Sequence, residues 1–168
     1  IMVLGVYISY KILDFPDLSV DGSFPLGAAV AAQSLISGQS PLVSTVLALV
    51  AGLLGGTLTG ILHVRLKISN LLSGILVMIG LYSINLRIMG KSNIPLFTVD
   101  TIFSNPLPAL VTIALLALAS KLFLDFFLKT KVGYLLKATG DNPQLVTALG
   151  RDIGAMKILG LAISNGLV

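Results

Sequence analysis

The sequence contains no cysteine, no tryptophan and no glutamate, and its single histidine is His63. Without cysteine the chain can form neither a disulfide nor a thiolate site for zinc, and it has no thiol nucleophile. One histidine and seven acidic residues leave few groups for acid–base or metal chemistry. We therefore predict no metal site and no catalytic residue, and the small net charge of +4 gives no reason to expect nucleic acid as a partner.

Charge is scarce and apolar residues are abundant. Only 11% of the residues are charged, whereas 55% are hydrophobic and the mean hydropathy is +1.00. Several runs stay apolar for about 20 residues, the length that crosses a bilayer as a helix. We predict an all-α, polytopic membrane helical bundle with complete spans at 41–62, 70–89 and 106–128. The apolar runs at 2–13 and from 156 onward are too short to cross. We therefore expect residues 1–168 to be a single transmembrane domain that is incomplete at both ends.

The basic residues predict which loops face the cytoplasm, because Lys and Arg are enriched there. Two clusters are separated by two spans: Arg65 and Lys67, and then Lys129, Lys131, Lys137 and Arg151. The loop 90–106 then faces outside. The membrane side of residues 14–25 stays open, because the next apolar stretch, 24–37, rises only about 21 Å as a helix. It either crosses the membrane or forms a re-entrant half-helix.

Glycines recur every fourth residue in the first complete span, at Gly52, Gly56 and Gly60. On a helix this spacing places them on one face, where a bare backbone lets another helix approach closely. We predict that this face packs against a second helix. A dimer surface or a gating surface is the alternative.

The segment DLSVDGSFPLGAA holds small and acidic residues just ahead of an apolar helix that we expect to begin near Pro25 or Leu26. They are Asp17, Ser19, Asp21, Gly22 and Ser23. Broken helices within membranes expose backbone amides, and their N-termini can face an anionic group of a ligand. A turn with Asp and Ser caps explains the same residues without a ligand. Both interpretations are open.

Tyr82 and Asn85 give the span 70–89 a sparse polar lining. They are three residues apart, so both lie on the same side of a helix. We therefore treat them, together with the four residues of the DLSVDG segment, as candidates for a substrate path. Packing within the bundle is the alternative.

The polar segment TKVGYLLKATGDNPQ interrupts the apolar pattern. Gly133 and Gly140 bracket a short helical stretch, and Asp141 or Asn142 then caps a second helix with Pro143 at its first position. We expect two short helices joined at Gly140 on the cytoplasmic surface. Such a structure suits contact with a soluble partner, and a plain interfacial loop is the alternative.

A series of small, basic and amide residues runs through and beyond this segment: Thr130, Gly133, Lys137, Ala138, Gly140, Asn142, Pro143, Ala148 and Gly150. It resembles the cytoplasmic coupling region of the permease subunits of bacterial ATP-binding-cassette importers, in the branched-chain amino acid and ribose permease superfamily. Independently, DLSV, Gly22 and LGAAVAA are similar to the DLSVGS...GA segment of the sugar-type members. Asp21 departs from that pattern, as does Lys137, where Arg is common.

The resemblance implies a coupling segment at 129–155 that docks into a cleft of an ATP-binding subunit. Its implied coupling residues are Gly133, Lys137, Ala138, Gly140, Asp141, Asn142, Pro143, Ala148 and Gly150. After Gly150 the sequence Arg151-Asp152-Ile153 departs from the family pattern, in which Ile follows at once.

The resemblance further implies the membrane subunit of an ATP-driven importer, multi-pass in the bacterial inner membrane and forming the translocation path. Its implied partners, besides the bilayer, are a soluble ATP-binding subunit, an extracellular substrate-binding protein and a second permease copy. The chain has no GxxxxGK[ST] motif, so we expect ATP-Mg in the partner and no cofactor in this chain.

For the substrate we favour an amino acid, because the chain offers a few aromatic and polar positions and no cluster of Trp with carboxylates of the kind that binds carbohydrate. A ribose-like sugar or a nucleoside is the alternative. A channel or secondary transporter that uses no ATP is the alternative from another class.

Overall fold

The computed structural model describes residues 1–91, 93–96, 99–104 and 108–168. Within these ranges the regular structure is helical and no strand occurs, so the predicted all-α class is confirmed. In chain order the elements are α1 (Met2–Tyr7), which continues as a π-helical turn (Ile8–Ile12), α2 (Val20–Ile36), α3 (Pro41–Leu66), α4 (Asn70–Met89), a short 3-10 turn (Ile102–Ser104), α5 (Ala109–Leu128), α6 (Lys131–Asp141), α7 (Pro143–Ala148) and α8 (Ile153–Leu167).

The helices α3, α4 and α5 are long and apolar enough to cross a membrane. The helix α1 with its π-helical turn, and α8, are apolar but shorter. The helix α4 occupies the predicted span, and α3 starts as predicted at Pro41, where the Ser40 hydroxyl accepts a hydrogen bond from the amide of Val43. The helix α3 then continues past residue 62 to Leu66. Positions 106 and 107 of the third predicted span lie outside the described residues.

The helix α2 begins at Val20 and contains Pro25 in its interior, so the predicted start near Pro25 is wrong. A proline inside a helix lacks the N–H that would bond the carbonyl four residues earlier, here that of Asp21. The first turn forms regardless, because the amide of Ser23 donates to the carbonyl of Ser19 at 2.9 Å. With 17 residues α2 rises about 26 Å, still short of the roughly 30 Å hydrocarbon core.

The helix α8 also starts earlier than predicted, at Ile153 and not at Met156. The Asp152 carboxylate accepts a hydrogen bond from the amide of Gly154 at 2.8 Å and so acts as its N-cap. The prediction used only the apolar run that begins at Met156. It therefore did not include the capping residue Asp152, which lets the helix begin three residues earlier.

The glycine stripe of α3 lies against α8. A Cβ on Gly52 would come within 2.5 Å of the Asn165 carbonyl oxygen, and one on Gly60 within 2.7 Å of the Ile158 Cα. A Cβ on Gly56 would overlap the carbonyl oxygen of Leu161. The two backbones are therefore in direct contact, as small residues allow in membrane helices.

Two clusters of buried apolar side chains hold the remaining elements together. The larger one joins the π-helical turn, α5, α6 and α8 through Ile8, Ile12, Leu13, Phe15, Leu124, Leu128, Leu136 and Leu161. The smaller one joins α2 to α4 through Leu26, Val77 and Leu81. The helix α5 is the least covered of the three long helices, since only 11% of its most apolar stretch is buried against the described chain, compared with 28% in α3 and α4.

Candidate functional site

The N-terminal half of α2 lies directly on α4. A Cβ on Gly22 would come within 2.9 Å of the Met78 Cα, so only a glycine permits this approach. The residues just before α2 lie equally close to α4, because a Cβ on Gly74 of α4 would lie 2.9 Å from the amide nitrogen of Leu18. These contacts bring the DLSVDG segment against the helix that carries Tyr82 and Asn85.

A cavity of about 320 Å³ opens between α2 and α4. Its walls are formed by Asp21, Gly22, Pro25, Met78, Ile79, Tyr82 and Asn85. The structure therefore brings together four of the six residues that the sequence suggested for a substrate path. We call this space the α2–α4 cavity. Its volume is at the lower end of the range for small-molecule sites, about 300 to 1,000 Å³.

Asn85 is the buried polar residue of the α2–α4 cavity, with 6% of its surface exposed. Its Nδ2 donates a long hydrogen bond of 3.4 Å to the carbonyl oxygen of Gly22. Its Oδ1 has no hydrogen-bond partner among the described residues. An acceptor left unpaired in this way costs about 1–3 kcal/mol, and a ligand donor reached by rotation of the amide would recover that cost.

Asp21 supplies further acceptors to the α2–α4 cavity, whereas the Tyr82 hydroxyl can both donate and accept. The Asp21 side chain is exposed and carries a carboxylate. Because Pro25 has no N–H, the Asp21 carbonyl lacks its usual α-helical donor. The walls between these groups are apolar or aromatic, and Tyr82 is exposed beside them. Such a lining suits a small molecule that combines an ammonium or hydroxyl donor with an apolar or aromatic body.

Asp17 and Ser19, the other two candidates, are bonded elsewhere. The Asp17 Oδ1 accepts from the Ser19 amide at 2.8 Å and from its hydroxyl at 2.6 Å. The Asp17 Oδ2 accepts from the Nδ2 of Asn165 at 2.8 Å, and the Oδ1 of Asn165 accepts from the Ser23 hydroxyl at 2.7 Å. We call Asp17, Ser19, Ser23 and Asn165 the polar junction. It ties the start of α2 to α8.

Asn165 is the residue of the polar junction that the sequence analysis did not identify. It is 1% exposed, and its Nδ2 also donates to the Leu161 carbonyl at 3.0 Å. The available signal was a serine–asparagine pair inside the apolar run AISNGL, because polar residues inside membrane segments are rare and usually bonded. Its partner Asp17 lies 148 residues earlier in the sequence, so nothing local indicated the pairing.

The coupling segment folds as α6 and α7. The break between them is at Asn142, whose side chain accepts a hydrogen bond from the Leu145 amide at 3.3 Å and caps α7. The predicted joint at Gly140 is therefore wrong, since α6 continues through this residue. Gly140 has a different role: a Cβ there would overlap the Ile12 carbonyl oxygen. Gly133 similarly lies against the backbone of Phe127 at the end of α5.

Fully buried Leu136 and Val146 anchor α6 and α7. Facing outward are Tyr134, Lys137, Asp141, Leu145 and Leu149, which we call the α6–α7 surface. Of the other predicted coupling residues, Asn142, Pro143, Ala148 and Gly150 are also exposed, and Ala138 is half-buried. Three large apolar side chains are exposed on these two short helices and at the residue that follows α7, which is typical of a surface that a protein partner covers.

The lengths and apolar composition of α3, α4 and α5 indicate an α-helical membrane protein. The chain belongs to the family described as branched-chain amino acid transport system / permease component, whose model matches residues 1–167. The resemblance found in the sequence is thereby confirmed.

Two curated relatives place the chain further. It is 58% identical over 168 residues to the tyrosine transport system permease protein of Clostridioides difficile (strain R20291), covering 100% of this chain and 57% of that protein. It is 37% identical over 171 residues to the uncharacterized protein RP368 of Rickettsia prowazekii (strain Madrid E), covering 99% of this chain and 59% of that protein. The chain thus spans less than two thirds of the length of these relatives. No solved structure matches it.

Proposed function

We propose that the chain is part of the membrane subunit of an ATP-driven importer of amino acids, located in the bacterial inner membrane, with an aromatic amino acid such as tyrosine as substrate. Membership of the permease family supports transport, and the 58% identical relative named for tyrosine supports the substrate. The α2–α4 cavity agrees with this substrate class, because it combines the Asp21 carboxylate with apolar walls and the Tyr82 ring.

The α6–α7 surface is the observation that carries the ATP-driven mechanism. Exposed Tyr134, Leu145 and Leu149 would dock into a soluble ATP-binding subunit, which supplies ATP-Mg and the hydrolysis. A second permease copy and an extracellular binding protein complete the proposed assembly. This chain itself then performs no chemical step.

A continuous set of contacts would carry motion from the α6–α7 surface to the α2–α4 cavity. Leu136 of α6 and Leu161 of α8 belong to one buried cluster. One turn further along α8, Asn165 bonds the Ser23 hydroxyl of α2 at 2.7 Å. The α2 carbonyl of Gly22 then contacts Asn85 in the cavity wall. A displacement of α6 would therefore reach the cavity through α8 and α2.

Co-purification of the full-length protein tests the docking proposal. A soluble ATPase should accompany the tagged native protein in mass spectrometry and be lost from the Leu145→Glu/Leu149→Glu variant. The control is Leu66→Glu, which places one such carboxylate on an exposed leucine at the end of α3. Loss in all variants, or no ATPase with the native protein, would contradict the proposed docking.

Uptake measurements test the substrate. Cells expressing the complete system should take up labelled tyrosine, and unlabelled aromatic amino acids should compete. Competition by pentoses or nucleosides alone would replace the amino acid proposal with a sugar or nucleoside permease. Uptake that persists without a functional ATPase would favour a channel or a secondary transporter.

A further inference from the structure

A second, more basic cavity lies between α1, α5 and α6. Its volume is about 570 Å³, and it is lined by Leu4, Tyr7, Lys121, Leu124, Asp125, Leu128, Lys129 and Lys137. We call it the basic cavity. It is separate from the α2–α4 cavity and shares no lining residue with it.

The charges of the basic cavity do not balance. Three lysines face one carboxylate, that of Asp125. Among the described residues the side chains of Lys121 and Lys129 make no hydrogen bond or ion pair, and the ammonium of Lys137 lies 5.8 Å from the centre of the Tyr134 ring. Three ammonium groups around one concave space attract an anion.

The surroundings of the basic cavity would suit a lipid. Its lining residues Leu124 and Leu128 are buried, near the end of a membrane-length helix. Lys129 follows that helix directly, in a loop whose basic residues predict the cytoplasmic side. The outer flank of α5 exposes a stripe of apolar side chains at helical spacing: Leu118, Leu122 and Phe126.

We propose that the basic cavity binds the headgroup of an anionic phospholipid of the cytoplasmic leaflet, with the acyl chains along the exposed flank of α5. Basic pockets between membrane helices on this side recognise such headgroups. The bound lipid connects the end of α5, through Lys121 and Lys129, to α6, through Lys137. This inference requires a membrane location and does not depend on the substrate. Because Lys137 also belongs to the α6–α7 surface, the test leaves Lys137 unchanged and changes only Lys121 and Lys129, which lie outside that surface.

The test uses the full-length protein and phosphatidylglycerol as the probe. The protein is reconstituted with phosphatidylcholine and phosphatidylglycerol in equal amounts, and lipids retained after gentle extraction are measured by native mass spectrometry. Native protein should retain phosphatidylglycerol in preference to phosphatidylcholine. Lys121→Gln/Lys129→Gln should weaken phosphatidylglycerol binding about 25-fold, since each lysine near an anionic headgroup contributes about fivefold.

Two single variants separate this effect from a folding defect. Lys131→Gln removes one lysine charge at the start of α6, two residues from Lys129 and outside the cavity lining, and should leave lipid retention close to native. Asp125→Asn removes the opposing charge and should strengthen phosphatidylglycerol binding about fivefold. A gain cannot result from misfolding.

Three results would overturn the proposal. They are equal retention of the two lipids by the native protein, an equal loss in Lys131→Gln and in the double variant, and weaker binding in Asp125→Asn. Displacement of the lipid by millimolar glycerol phosphate would show that a small soluble anion occupies the cavity and would also overturn it.

Discussion

The polar junction and the α2–α4 cavity each contain an aspartate and an asparagine beside α2, but they differ in whether the hydrogen bonds of these residues are satisfied. In the junction an aspartate and an asparagine satisfy each other, because Asn165 bonds Asp17 at 2.8 Å. In the cavity an aspartate and an asparagine also occur, Asp21 and Asn85, but the Asn85 Oδ1 has no partner among the described residues. Polar residues in a membrane helix are thus functional candidates only after their hydrogen bonds have been counted.

Removal of the Asn165 amide should have the largest effect. Asn165→Leu deletes the bonds to the Asp17 carboxylate, the Ser23 hydroxyl and the Leu161 carbonyl, and places an apolar side chain against the Asp17 carboxylate. We expect a loss of about 3 kcal/mol or more in the free energy of unfolding, seen as a lower melting temperature of the full-length protein. The matched change Asn70→Leu, at the start of α4 and outside the junction, should cost no more than about 0.5 kcal/mol. Equal losses in the two variants would mean that the hydrogen bonds of the junction do not contribute specially to the free energy of unfolding.

The second prediction disturbs the junction indirectly. A Cβ introduced by Gly56→Ala would overlap the Leu161 carbonyl oxygen and lie 2.8 Å from the Cβ of Asn165, so α8 must move away from α3. We expect a loss of about 1–3 kcal/mol in the same melting experiment. At Gly80 of α4 a Cβ meets none of the described atoms within 4 Å. Gly80→Ala should therefore stabilise by about 0.5–1 kcal/mol, and a loss there as large as in Gly56→Ala would refute the packing argument.

The corresponding change in the cavity should affect uptake and leave stability nearly unchanged. Asn85→Leu removes one long hydrogen bond of 3.4 Å together with the unpaired oxygen, and these two effects on the free energy of unfolding oppose each other. We expect a melting temperature close to native and a roughly tenfold lower kcat/KM of amino acid uptake, equivalent to one hydrogen bond. A marked loss of stability with normal uptake would make Asn85 a second structural residue.

The smallest expected effect is that of the exposed carboxylate. Asp21→Asn should raise the KM for amino acid uptake about fivefold, because an ion pair close to solvent contributes about 1 kcal/mol. The control is Asp14→Asn, another exposed carboxylate of the same segment, outside the cavity lining. Asp14 has φ 50, a conformation that asparagine tolerates, so this change should leave KM unaltered. Equal shifts in both variants would indicate a general charge effect.

Local patterns predicted the features that depend on local physics. The apolar run gave the bounds of α4, and the spacing of Tyr82 and Asn85 placed them in one cavity wall. The predictions from local patterns were wrong or incomplete where a residue's role depends on a contact with a part of the chain that is far away in the sequence. Gly140 was expected to join two helices, whereas it accommodates the Ile12 carbonyl from the other end of the sequence. The bond between Asp17 and Asn165 could not be predicted for the same reason, since it depends on how α8 lies against α2.

The polar junction has a consequence for the motions that the bundle allows. A helix rotates about 100° and rises 1.5 Å for each residue by which it slips. Such a slip of α8 would turn Asn165 away from Asp17 and leave the carboxylate without this donor. The amide therefore fixes both the rotational setting and the height of α8, as single buried polar residues do in coiled coils. Any rearrangement that preserves the junction must carry α2 and α8 together as one rigid pair. Relative movement is then left to the other contacts of this pair, which include the contact of α2 with α4 at the α2–α4 cavity.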